Sequence, residues 1–263
     1  MTTRPSLIFF GNGPLADATL SILSETFDIL FAAHTRADLD TVRELKLSHP
    51  NALGVLASFG VLIKSDLLDL FEPVGILNIH PSLLPLYRGA SPIESALLAG
   101  DTSFSVSVMK LAPAMDAGPL YYQTTLDDLP LDKSALYSAL ATAGARWICE
   151  HYSSLPPPVA QDDTKATFCT KLDKSLSPLL PAEKSASRLL REVVAFAGFP
   201  RSRYTFFGVD CIILSAHVSS TAPHPLSLRC ADGNFLVIDR LMPAGRRPMD
   251  AQSFLNGYQK SKN

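Results

Sequence analysis

The first half of the chain alternates between short apolar runs and stretches whose apolar residues recur at helical spacing. Residues 7–10 form a continuous apolar run, closed by Gly11-Asn12-Gly13-Pro14, and predict a buried strand. Leu15, Ala18, Thr19, Ile22 and Leu23 then repeat at the period of an amphipathic helix. The alternation continues. Residues 29–33 predict a second strand, Leu39, Val42 and Leu45 a second helix, and residues 53–58 a third strand. A short helix near residues 65–70 and a fourth strand over residues 75–79 follow. Strands alternating with helices predict a Rossmann-like α/β domain, with a parallel-rich sheet, right-handed crossovers and helices on both faces. Ligands of such sheets bind outside the carboxyl ends of the strands, where Asn78 and His80 fall.

Ser91-Pro92-Ile93-Glu94 has the spacing of a capping box with proline at the first helical position. That helix is expected to run to residue 98 or 99, where Gly100 closes it. Phe104, Val106, Val108 and Lys110 alternate with Ser105, Ser107, Met109 and Leu111 as in a strand, and residues 119–126 are its expected partner. Residues 132–152 predict a long helix with Leu136, Leu140, Ala143 and Trp147 along one stripe. Pro156-Pro157-Pro158 and Asp162-Asp163 then mark a stiff polar connection. After it, residues 182–197 predict a helix carrying Leu189, Leu190 and Val193 on one face. Short strands follow over residues 202–207, 209–218, 226–231 and 235–241, with turns at Gly208 and Asp232-Gly233. This pattern predicts a small Greek-key β-barrel of the OB type. The expected layout is a catalytic domain of residues 1–155, a linker of residues 156–181 and a C-terminal OB-like domain of residues 182–263.

Composition narrows the class. At 47% hydrophobic and 18% charged the chain can build a sizeable core and is not disordered. Its longest apolar runs are far short of a membrane span. The N-terminal apolar patch is cut by Gly11 to Pro14 and has no small-residue cleavage site after it, so a strand is expected there, not a signal peptide. Cys149, Cys169, Cys211 and Cys230 form no C-x-x-C pair and need no disulfide framework. A reduced, cytoplasmic compartment with no membrane association is the expectation. The net charge of −2 hides an asymmetry: residues 1–161 hold 9 Lys and Arg against 16 Asp and Glu, net −7, while residues 162–263 hold 14 against 9, net +5. A basic half beside an acidic one points to a polyanionic partner.

The candidate chemistry sits between residues 77 and 120. Asn78, His80 and Asp116, brought together at strand ends, can hold a developing oxyanion and move a proton. An Asn side-chain N–H suits the oxyanion, and histidine is the side chain that shuttles protons near neutrality. Asp116 can fix the imidazole tautomer and stabilise its charged form. Taken singly, each is ordinary: a turn asparagine, a core histidine, an Asp-x-Gly turn. Together the pieces Asn78-x-His80, Ser82-Leu83-Leu84-Pro85, Tyr87-Arg88-Gly89-Ala90-x-Pro92-Ile93 and Asp116-x-Gly118 resemble, in order and spacing, the catalytic core of the formyltransferases that use 10-formyltetrahydrofolate. The third piece is most similar to that of the methionyl-tRNA formyltransferases. The resemblance extends to Ala195-Phe196-Ala197-Gly198-Phe199-Pro200 and to the closing run Leu241 to Met249 with Phe254-Leu255-Asn256-Gly257.

The resemblance implies attack of an amine on the formyl carbon of a folate, with Asn78, His80 and Asp116 as catalytic residues. It implies that Ser82, Leu83, Leu84 and Pro85 line the folate pocket, and that residues 59–63 and 113–116, including Leu62 and Met115, face the pteridine. The expected co-substrate is 10-formyltetrahydrofolate, with no metal, and the expected acceptor is initiator methionyl-tRNA. Arg88, Arg201, Arg203, Arg246 and Arg247 are candidate phosphate contacts, since arginine donates bidentately to phosphate oxygens. A monomer is expected. One departure bears on the acceptor: the methionyl-tRNA enzymes carry a long basic insertion after the second strand, whereas residues 35–45 here run straight into a helix. The alternatives are a formyltransferase acting on an amino-sugar nucleotide or other small amine, and a degenerate binding protein without turnover. Gly11-Asn12-Gly13-Pro14-Leu15-Ala16 also matches a dinucleotide fingerprint. The second strand, however, ends Ala33-His34-Thr35-Arg36 without the acid that would hold a ribose, so a structural turn is the expectation.

Overall fold

The first apolar run becomes β1 (Ser6–Gly11), the strand from which the sheet grows in both directions. The computed structural model describes residues 4–258. Leu7, Ile8, Phe9 and Phe10 are all but completely buried, as a central strand requires. After α1 (Pro14–Thr26), β2 (Asp28–Ala33) pairs parallel to one side of β1. After α2 (Leu39–Ser48), β3 (Leu53–Ala57) pairs parallel to the other side. That reversal of direction opens a crevice at the carboxyl ends of the strands. A short α3 (Ser65–Leu68) leads to β4 (Ile76–His80), parallel to β3. Then come α4 (Pro92–Ala99), β5 (Phe104–Lys110), β6 (Leu120–Leu126) and α5 (Lys133–His151). The order β2-β1-β3-β4-β5-β6 is parallel through β4 and antiparallel beyond it.

Side chains alternate between the two faces along each strand. On one face Ile8, Phe10, Leu56 and Ile76 join Val42 of α2, Leu67 of α3, Phe59 and Phe71 in a single core. Phe10 packs edge-on against Phe59 and Phe71, with ring centroids 5.6 and 6.0 Å away. On the other face α5 lies close to β4: a Cβ added at Gly144 would fall 2.8 Å from Ile79 Cγ2. The stripe expected along α5 holds for Leu136, Leu140 and Trp147, whereas Ala143 is half-buried and Gly144 makes the close approach.

Contacts divide the chain into two compact units, one formed by residues up to 93 with 102–169, the other by 94–101 with residues from 170 onward. Residues 156–169, within the stretch expected as linker, belong to the first unit. Val159 exchanges both backbone hydrogen bonds with Leu120, and Phe168 bridges in parallel to Arg88. In the second unit α6 (Ala186–Ala195) starts later than the periodicity predicts, because the Ser185 hydroxyl caps it by accepting the Arg188 N–H. β7 (Arg203–Phe206), β8 (Val209–Ser219), β9 (Ser227–Arg229), β10 (Phe235–Pro243) and β11 (Met249–Asp250) form an antiparallel sheet in the order β11-β10-β8-β7, with β9 on β10. It is an OB-like curled sheet. α7 (Ala251–Tyr258), for which the pattern reading predicts no element, seats Ala251, Phe254 and Leu255 in the same core as Leu189, Val193, Leu236 and Ile238. Among the described residues no helix is long and apolar enough to cross a membrane.

Candidate active site

β4 places two polar side chains on an otherwise apolar face. Ile76, Asn78 and His80 point to the side packed by α2 and α3, while Leu77 and Ile79 point to α5. Asn78 and His80 are each only 5% exposed. They lie where β4 ends and the crevice begins. The Asn78 amide has no hydrogen-bond partner among the described residues, and Asn78 lines a cleft of about 480 Å³.

The His80 ring is held from one side. Its Nε2 lies 3.0 Å from the Tyr87 carbonyl oxygen, which can only accept, so Nε2 carries the proton and Nδ1 presents its lone pair. That corrects the expectation that Asp116 sets the tautomer: the Tyr87 carbonyl does. Nδ1 faces Asp116 Oδ1 at 3.8 Å, beyond hydrogen-bond length but close enough to stabilise an imidazolium. Asp116 Oδ2 accepts the Gly89 N–H at 2.8 Å. Asp116 itself is left-handed, with φ 48°, a conformation that costs a non-glycine residue about 1–3 kcal/mol when the surroundings impose it. Two residues on, Gly118 passes so near β5 that a Cβ would lie 1.8 Å from the Lys110 carbonyl oxygen. Only glycine lets the Asp116 loop follow this path.

Ser82 to Pro85 do not line the cleft; the loop is braced against β5 and β6. The Ser82 hydroxyl donates to Leu86 O at 2.6 Å, and the Ser107 hydroxyl donates to Ser82 O at 2.6 Å while accepting the Leu84 N–H. Gln123 Nε2 donates to Leu84 O at 2.8 Å. Leu84 and Pro85 carry the chain toward this support, Leu84 buried and Leu83 turned to solvent. Ser107 is wholly buried on β5, and the strand alternation alone gives no hint of its role. The cleft walls are instead residues 58–63 after β3, the C-terminal end of β4, Gly89, Ala90, Pro92, residues 111–113, Met115, Asp116 and Tyr137. Leu62 and Met115 are each more than 60% exposed there, apolar side chains without an apolar cover.

Arg88 is also corrected. Its guanidinium, expected to meet phosphate, is buried and occupied: it donates to Gln161 Oε1 through Nε at 3.2 Å and through an Nη at 2.7 Å, and pairs with Asp163 at 2.6 Å. Arg201, Arg203, Arg246 and Arg247 are exposed on the second unit. Arg203 pairs with Asp210 at 2.9 Å, and Arg201 Nε donates to Gly198 O. The Gly11-x-Gly13 turn has a steric cause: a Cβ at Gly11 would meet Ala57 O at 2.4 Å, and Gly13 begins α1 at φ 85°. An acid does lie beyond β2, but Asp38 is consumed locally. It accepts the His34 and Thr35 N–H groups, which hold its carboxyl below the usual range. No group of three or more His, Cys, Asp or Glu residues suited to a metal occurs among the described residues.

Residues 16–151 match the formyl transferase family. The chain is 35% identical over 220 residues to a methionyl-tRNA formyltransferase of Granulibacter bethesdensis, covering 78% of this chain and 68% of that protein. In fold it resembles a methionyl-tRNA formyltransferase from Clostridium thermocellum, with a TM-score of 0.67 at 14% identity over 94% of this chain and 100% of that one. It also resembles HypX from Aquifex aeolicus in complex with tetrahydrofolic acid, with a TM-score of 0.72 at 13% identity; the match covers 99% of this chain but spans about half of HypX, 48%. With the family match covering more than half its residues, the chain belongs to the formyl transferase family.

Proposed function

We propose that this protein transfers the formyl group of 10-formyltetrahydrofolate to the amino group of methionyl-tRNA, with Asn78, His80 and Asp116 as the reacting side chains. The observation that carries the reading is the Asn78 amide, unpartnered among the described residues and open to a cleft it shares with His80 and Asp116. The amide opens onto the cleft, and none of its bonding capacity is committed among the described residues, so the position suits an oxygen that arrives with the substrate. Leu62 and Met115, with the backbone of residues 59–63 and 113–116, are the groups that would hold the folate.

Each side chain has a distinct task. Asn78 donates to the formyl oxygen as negative charge builds there, when the attacking amine has bonded to the formyl carbon. His80 takes, on Nδ1, the proton that the amine nitrogen must lose. Asp116 stabilises the imidazolium so formed. His80 returns that proton to the folate nitrogen as the bond between it and the formyl carbon breaks, so no net acid or base is consumed. Arg201, Arg203, Arg246 and Arg247, in the half with net charge +5, are proposed phosphate contacts for the tRNA.

The test is formylation by the purified protein with 10-formyltetrahydrofolate, offered methionyl-tRNA and an amino-sugar nucleotide in parallel. Formyl-methionyl-tRNA is expected. Formylation of the sugar alone would replace the acceptor while keeping the chemistry, and no formylation of either would sink the reading.

A further inference from the structure

The segment after α5 does more than connect. Gln161 joins the loop that carries Asp116 to the Arg88 guanidinium. Its Nε2 donates to Asp116 O at 2.9 Å and to Gly118 O at 2.7 Å. Its Oε1 accepts from Arg88 Nε and Nη2. This pattern admits one orientation of the amide, because reversing it would set an oxygen against two carbonyls and an NH2 against a guanidinium. Arg88 is in turn held by Asp163, and the next residue, Gly89, supplies the N–H that Asp116 Oδ2 accepts. The same segment holds the other partner of His80. Thr167 Oγ1 accepts the Tyr87 N–H at 2.9 Å, and Thr167 O accepts the Arg88 N–H at 2.9 Å. Tyr87 O is the acceptor for His80 Nε2.

We infer that Gln161 is a positioning residue for formyl transfer: by clamping the carbonyls of Asp116 and Gly118 onto the Arg88 guanidinium, it sets how the Asp116 carboxylate approaches His80. The inference rests on the function proposed above. It explains why the strained left-handed Asp116 keeps one place, and why a buried arginine with no route to substrate stands beside the site. Arg88 thus acts three contacts away from the imidazole, through Gln161 and then Asp116.

The experiment is a double-variant cycle with a structural arm. Gln161→Glu keeps the size and the Arg88 pairing but turns an acceptor toward two carbonyls. It is expected to lower kcat roughly 10²-fold, the effect of misplacing a reacting group by about 1 Å. In an Asp116→Asn background the same change is expected to cost no more than about threefold further, because a residue acting through Asp116 loses its effect once Asp116 is gone. Multiplicative losses, or an unchanged kcat in the single variant, would overturn the inference. If Gln161→Glu does not fold, Gln161→Met, similar in length and without hydrogen-bonding groups that could clamp, takes its place. If the wild type formylates no methionyl-tRNA, the functional proposal fails on its own, and a crystal structure of the variant decides this one. Asp116 is expected to have moved away from His80, and an unchanged approach of 3.8 Å would overturn the inference.

Discussion

At the scale of single residues, Asn78 and His80 differ in what their removal should cost. His80→Ala is expected to lower turnover about 10²–10⁴-fold, the range for a general acid–base group, with tetrahydrofolate affinity within a few-fold of wild type. Steady-state and binding measurements check this, and near-normal turnover would mean that the proton leaves by another route. Asn78→Ala is expected to lower kcat about 10²–10³-fold, as loss of an oxyanion donor does. Its melting temperature should hold, because no intramolecular bond of the amide is lost among the described residues. A variant that unfolds instead would make the amide structural. Both residues, with Asp116, were legible in the sequence because side chains carry their chemistry with them. The Tyr87 carbonyl that sets the His80 tautomer was not, since every residue has a carbonyl and its direction depends on the fold. Gln161 was missed for a related reason: it lies 45 residues from Asp116 in sequence and acts through backbone oxygens.

At the scale of elements, the Asp116 loop depends on its closest approach to β5. Gly118→Ala puts a methyl into the Lys110 carbonyl, and since both are backbone, something must shift. A loss of about 1–3 kcal/mol in stability, the range for overpacking, is expected together with reduced kcat, read by denaturant unfolding and by assay. A fully stable and active variant would show that the loop has freedom the structure does not display. Strand and helix order through β10 was readable from period, including the β5–β6 pair, whereas the pattern reading predicts neither β11 nor α7. The exact work of the Ser82-Leu83-Leu84-Pro85 loop was not. An apolar loop beside a site looks the same in sequence whether it lines the pocket or braces its floor. Here Ser107 and Gln123, from two strands further on, decide for bracing. α7 could have been found, since Ala251, Phe254 and Leu255 recur at helical spacing.

At the scale of the whole molecule, charge is divided between the halves, −7 before residue 162 and +5 from there on. If the basic half grips tRNA, binding releases counterions and affinity falls steeply with salt. Replacing both Arg246 and Arg247 by alanine is expected to flatten the log–log salt slope by roughly two units, about one per contact. Titration of methionyl-tRNA binding from low to moderate salt checks this. A wild type whose affinity ignores salt, or a double variant with the wild-type slope, would remove the RNA contact from this half. The direct run from β2 through residues 36–38 into α2 leaves no insertion there to share the load. Arg88, the one arginine of the site motif, is excluded from such contacts by burial and pairing.

The sequence by itself determined the class of fold, the strand ends that matter and the three side chains of the candidate chemistry. Periodicity, glycine and proline punctuation and side-chain identity are local properties, and they survive in a linear string. Tertiary structure alone decided which groups those side chains meet. It assigned the His80 proton to the side of Tyr87, turned the folate-loop candidates into a brace, took Arg88 from phosphate to Gln161 and divided the expected linker, with residues 156–169 in the first unit and 170–181 in the second. Each of these depends on backbone direction or on distances between residues far apart in the chain, and no residue type or spacing encodes either until the sheet has formed.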